Sequence, residues 1–306
     1  MSALRIGAAC IALGLAASLA GCDKHSEPAS KAAGAPPPPA RVDGTPQIAN
    51  SADGVHIQYR VYGAGDTAVI LVHGWSCDSN YWSAQLDPLK ARYTTVTVDL
   101  AGHGGSARNR AQWSIGNFGE DVAAVARQLQ NPRIVLVGHS MGAPVALEAA
   151  RRIGDRVVGI IAVDSLKTIG LPPISDRGIA MRLKPFRDNF IEETRNLVTA
   201  SFFTKDADPA FVRKVAEDMS LAPPEVAVPA MEALVRMDYA PVLADIHVPV
   251  VAINADFTGP TDEARIRKSL PTFSAVTIPG TGHFLMMEAP ARFNPVLMEQ
   301  VGKLAR

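Results

Sequence analysis

Ile134-Val135-Leu136-Val137-Gly138-His139-Ser140-Met141-Gly142 is the stretch that decides the fold. Its four aliphatic residues read as a strand buried on both faces. They run directly into Gly-x-Ser-x-Gly, and Met141 to Arg152 then carries apolar residues at helical spacing. Glycines flanking Ser140 let the chain turn tightly enough to hold that serine, strained, above the sheet. The following helix aims its first N–H groups at the same point, where an anion is stabilised. Gly-x-Ser-x-Gly alone is a weak signal. Between a buried strand and an amphipathic helix it is strong, and it marks Ser140 as a nucleophile.

Outward from this turn, short apolar runs alternate with amphipathic stretches. Val55 to Tyr62 alternates with period two, as a half-solvated antiparallel strand does. Ala68 to Val72, Thr94 to Val98, Val157 to Val163, Val248 to Ile253 and Ser274 to Ile278 read as buried parallel strands. Phe118 to Leu129 places Val122, Val125, Ala126 and Leu129 on one helical face. The alternation implies a doubly wound, mostly parallel sheet over residues 46–165 and 246–306. Residues 166–245 show no strand-like run and are broken by Pro172-Pro173, Pro185, Pro209, Pro223-Pro224 and Pro229. With short helices at Phe190 to Val198 and Ala210 to Met219, this region reads as an inserted helical cap.

The N-terminus has a different character. Arg5, the apolar run Ile6 to Ala20 and then Leu19-Ala20-Gly21-Cys22 resemble a bacterial lipoprotein signal over residues 1–21. The resemblance implies a lipid on Cys22, export, and a membrane partner reached through that lipid. Residues 22–45, with Pro36-Pro37-Pro38-Pro39, cannot bury a core and read as a flexible tether. Cys10 falls in the leader, so Cys77 stands alone in the body and no disulfide framework is expected. Thirty basic residues balance thirty acidic ones, which argues against a polyanion such as nucleic acid as partner. His25, His56, His247 and Cys77 lack metal-ligand spacing, so no metal is expected.

From about Gly44 to the end, the divergent cap excepted, the chain resembles the α/β-hydrolases. Val69-Ile70-Leu71-Val72-His73-Gly74-Trp75 is similar to that family's strand and His-Gly oxyanion loop. The resemblance implies an oxyanion hole from the backbone N–H groups of Trp75 and Met141, with His73 holding the loop. Thr97 to Ser106 resembles the family's Asp-x-x-Gly-His-Gly-x-Ser loop, in which Asp99 and His103 brace a turn beside the site. His283, in Pro279-Gly280-Thr281-Gly282-His283-Phe284, follows the last expected strand and is the expected base. Glu288 is expected to be structural. Asp256, after the strand Val248 to Ile253, occupies roughly the family's acid position and is the preferred acid. Asp164, after the preceding strand, and Asp262 are its rivals.

Together these residues predict a serine hydrolase that needs no cofactor and acts on a small ester-like molecule through an acyl-enzyme. A lactonase, a C–C bond hydrolase, an amidase and a perhydrolase fit the same residues. A lipid-anchored binding protein that lost activity is the non-enzymatic alternative.

Overall fold

The computed structural model describes residues 44–306. The expected leader, Cys22 and all but the last two residues of the tether lie outside the described residues. Eight strands form one sheet: β1 (Gln47–Asn50), β2 (His56–Tyr62), β3 (Thr67–Val72), β4 (Thr94–Val98), β5 (Arg133–His139), β6 (Val157–Val163), β7 (Val250–Ala255) and β8 (Phe273–Ile278). Their order is β1-β2-β4-β3-β5-β6-β7-β8. β1, β2 and β4 pair antiparallel, and β4-β3-β5-β6-β7-β8 pair parallel. This is the α/β-hydrolase fold.

Burial follows the residue pattern. Every residue of β3, β4 and β7 is buried, as covering on both faces requires, whereas β2 alternates between buried and more open positions. Strand β1 escapes the sequence reading because it has four residues and lies at the sheet edge, with Ile48 exposed.

Eleven α-helices are present among the described residues. In the core, α1 (Ser83–Lys90), α2 (Ile115–Gln128) and α3 (Gly142–Ile153) precede β6. Five follow between β6 and β7: α4 (Asp176–Asp188), α5 (Phe190–Ser201), α6 (Pro209–Ser220), α7 (Pro224–Val235) and α8 (Ala240–Leu243). The chain closes with α9 (Glu263–Arg267), α10 (Leu285–Glu288) and α11 (Pro290–Leu304). Pro185 and Pro229, read as breaks, lie inside α4 and α7. A proline frees only the carbonyl four residues earlier. Here those carbonyls belong to exposed Met181 and to Glu225 in the first turn of α7. Pro209 and Pro224 begin their helices, where a missing N–H costs nothing. No helix among the described residues is long and apolar enough to cross a membrane.

Candidate active site

Ser140 sits between the end of β5 and the start of α3 with φ +52°, a left-handed conformation that costs a non-glycine residue on the order of 1–3 kcal/mol. Close packing imposes the turn. A Cβ on Gly138 would lie 2.2 Å from the Gly142 carbonyl oxygen, and one on Gly142 would lie 2.4 Å from that of Val72. Hydrogen bonds fix the strained residue to β6: Ser140 N–H donates to the Val163 carbonyl (2.9 Å), and Ser165 Oγ donates to the Ser140 carbonyl (2.8 Å). Ser140 is half-buried, and among the described residues its hydroxyl makes no hydrogen bond. That leaves it free to turn.

The loop after β3 passes beside this turn. A Cβ on Gly74 would be 3.3 Å from Ser140 Cβ. Trp75 is pinned by its indole N–H, which donates to the Ala227 carbonyl of α7 (2.7 Å), and by edge contacts with Phe186 of α4 and Phe190 of α5. Among the described residues, the Trp75 and Met141 backbone N–H groups donate to no protein acceptor. His73 holds the loop: its Nδ1–H donates to the Gly74 carbonyl (2.8 Å), and its Nε2 accepts from Leu100 N–H (3.0 Å). Burial pushes its pKa down despite the nearby Asp99. Asp99 accepts from Ser79 N–H, Gly105 N–H and Gln58 Nε2, while burial pushes His103 down to about 3. Both brace the turn, and neither touches His283.

His283 Nδ1 lies 2.6 Å from Asp164 Oδ2. The structure therefore does not bring Asp256, the preferred acid of the sequence reading, to the histidine. β7 runs on to Ala255, so Asp256 lies past the strand tip, exposed, where its Oδ1 accepts from Gly280 N–H (2.8 Å). Asp164 turns inward with φ +41°, and its other oxygen accepts from Ala255 N–H (3.1 Å). Burial pushes the Asp164 pKa up, but hydrogen bonding and charge from His283, then Lys167 and the Ala255 N–H, hold it below the usual carboxylate value. Asp262 caps α9 through Arg265 N–H. Register explains the assembly: His139 of β5 pairs with Val163 of β6, so Ser140 and Asp164 leave neighbouring strand ends together.

The histidine loop is held from several sides. Glu288 of α10 accepts from Gly282 N–H (3.0 Å) and Phe284 N–H (3.1 Å), and His283 N–H donates to the Phe202 carbonyl at the end of α5 (2.7 Å). Burial raises the Glu288 pKa against those two N–H donors. The Phe202 ring covers the imidazole at 4.7 Å.

A strained serine at a strand–helix turn and a carboxylate-bound histidine from the far end of the sheet agree with a match over residues 69–296 to the profile described as Alpha/beta hydrolase family. The chain belongs to the alpha/beta hydrolase family. This hydrolase is 28% identical over 251 residues to the dihydrolipoyllysine-residue acetyltransferase component of the acetoin cleaving system of Pseudomonas putida. The alignment covers 78% of this chain but 65% of that protein, so the hydrolase spans less than two thirds of this relative. It is 26% identical over 255 residues to the pimeloyl-[acyl-carrier protein] methyl ester esterase of Yersinia enterocolitica, 79% of this chain and 96% of that one. A thermophilic esterase from Thermogutta terrifontis, 24% identical, superposes with a TM-score of 0.73 over 85% of this chain and 99% of its own.

Two residues of the hydrolase's site were not singled out by sequence. His139 Nε2–H donates to the His283 carbonyl (2.8 Å), and burial lowers its pKa to about 3, keeping the ring neutral. Its only sequence signal is its place before Ser140. Lys167, three residues after Asp164, has its Nζ 3.6 Å from Asp164 Oδ1. No group of three potential metal ligands occurs among the described residues.

Proposed function

We propose that the protein is a serine hydrolase that cleaves small carboxylic esters, with Ser140 as nucleophile, His283 as base and Asp164 as acid. The observation that carries this reading is the 2.6 Å contact between His283 Nδ1 and Asp164 Oδ2, at the strand end next to that of strained Ser140. Asp164 fixes the tautomer that leaves Nε2 unprotonated and stabilises the imidazolium formed later. Ser140 Oγ attacks the ester carbonyl carbon as its proton passes to His283 Nε2. The carbonyl oxygen becomes an oxyanion between the Trp75 and Met141 N–H groups, where one donor is worth about 10²–10³ in rate. Collapse breaks the bond to the alcohol oxygen, which takes the proton from His283. Water, deprotonated by His283, then attacks the acyl-enzyme, the acid leaves, and Ser140 regains its proton.

Phe186 and Phe190 of the expected cap flank Trp75, so the acyl group would meet apolar surroundings on that side. Lactones are cyclic esters and are opened by the same steps. Residues 1–21 direct export, and a lipid on Cys22 holds the enzyme at a membrane surface on the 22–45 tether.

A fluorophosphonate probe tests the nucleophile. Wild type should label and Ser140→Ala should not; an unlabelled wild type, or an equally labelled variant, sinks the reading. Rates on nitrophenyl esters, lactones and amides of increasing acyl length define the class. Turnover of amides alone would overturn the ester assignment. For the anchor, an alkyne-tagged fatty acid should enter wild type and not Cys22→Ser; incorporation into both rejects it.

A further inference from the structure

Lys167 follows β6 by four residues and folds back over the acid. Its ammonium donates to the Ala255 carbonyl (2.7 Å), to Thr258 Oγ1 (2.9 Å) and to the Gly259 carbonyl (3.3 Å), and lies 3.6 Å from Asp164 Oδ1. The Phe257 ring lies 6.0 Å from the same nitrogen. The side chain is only 20% exposed. A lysine withdrawn this far from water loses hydration and rotamer freedom, so its placement needs a compensating role.

The contacts supply one. Three donor bonds hold residues 255–259 around the ammonium, and Ala255, whose carbonyl accepts one of them, donates its own N–H to Asp164 Oδ1. Lys167 thus acts on Asp164 through the donor it holds in place and through its charge. We propose that Lys167 is a positioning residue of this hydrolase: it fixes the acid placed at the end of β6 and, through it, sets the pH range in which His283 works as a base. The inference rests on the triad proposed above.

Sign follows from charge. The groups facing the His283–Asp164 pair are neutral His139 from β5, Lys167 after β6, Asp256 after β7 through the Gly280 N–H, and Glu288 of α10 through the Gly282 and Phe284 N–H groups. Among the described residues, Lys167 is the cation in this set. Removing it favours protonated imidazole, so the acid limb of kcat/KM moves to higher pH.

The experiment measures kcat and KM on a nitrophenyl ester, and fluorophosphonate labelling rate, from pH 5 to pH 9. Lys167→Met should lower kcat about tenfold with KM little changed, and move the acid limb up by roughly 0.5–1 pH unit. Lys167→Gln keeps a donor for the Ala255 carbonyl without the charge. It should recover part of kcat while leaving the limb displaced, and Lys167→Arg should return the limb toward wild type. Circular dichroism and thermal melting establish that each variant is folded, and Lys167→Gln stands as the test if Lys167→Met is not. An unmoved acid limb in either folded variant overturns the proposal. Asp164→Asn separates the two levels: if it stays active, the triad itself fails; if it is inactive while folded Lys167→Gln behaves as wild type, only the role of Lys167 fails.

Discussion

Two aspartates leave the tips of neighbouring strands, and their fates differ. Asp164 ends β6 in a left-handed turn, is buried, and meets His283 at 2.6 Å. Asp256 ends β7, is exposed, and accepts from the Gly280 backbone. Both therefore grip the same loop, Pro279 to His283, but at different atoms: one holds the imidazole and the other the main chain. Chain position alone does not separate them. What separates them is register and the sign of one φ: Val163 pairs with Ile253, so Asp256 lies two residues farther along its strand than Asp164 does. Buried Asn254 stands near the end of β7, where it accepts from Ser165 N–H and donates to the Ser165 carbonyl and to Thr261 Oγ1. An amide there ties β7 to the segment that carries Asp164.

The comparison breaks most visibly at Asp164. Replacing Asp164 by Asn preserves shape but removes the charge that orients the imidazole, and kcat should fall by about 10⁴-fold with KM little changed. A loss of less than tenfold would return the acid role to another carboxylate. Next in size is Glu288→Gln. Both carboxylate oxygens accept backbone N–H groups flanking His283, and an amide offers only one acceptor oxygen. The loop should loosen and kcat should drop about tenfold, since misplaced catalytic groups cost rate steeply. A lowered melting temperature with unchanged kcat would restrict Glu288 to stability.

The sequence made the strand–turn–helix around Ser140 legible because buried strand, flanking glycines and amphipathic helix are local patterns. His283 was legible for the same reason, lying in a glycine-rich loop after the last strand. The carboxylate that meets His283 was not, because the end of β7 at Ala255 and the φ of +41° at Asp164 are products of packing. His139 and Lys167 share that difficulty: their partners, His283 and residues 255–259, lie far along the chain. Helices α4 and α7 were obscured by Pro185 and Pro229, whose cost depends on which carbonyl each one frees.

The two aspartates should also differ in how acid acts on stability. The folded-state pKa of Asp164 is depressed, so its stabilisation is fully present above the unfolded carboxylate value and is lost as pH falls through the folded one. Glu288, raised by burial, runs the opposite way: its contribution is present below the unfolded value and is lost as pH rises through the folded one. Urea melts of wild type and Asp164→Asn from pH 7 downward should show wild type ahead at neutral pH and the gap closing below about pH 4. A gap that stays constant to low pH would mean that Asp164 is not ionised in the folded protein.

Asp256→Asn should do least. An asparagine oxygen can still accept from Gly280 N–H, and the position is open to water, which supplies a partner if the amide turns away. Activity should stay within about threefold of wild type and the acid limb of the pH profile should not move, because no contact joins this carboxylate to the imidazole. Asp256→Ala then measures the backbone bond alone: removing the acceptor frees the Gly280 N–H and should cost at most about 1 kcal/mol at this exposed site. If Asp256→Asn instead lost activity as steeply as Asp164→Asn, the histidine would have to swing between the two strand tips during turnover. One static pairing could not account for both losses.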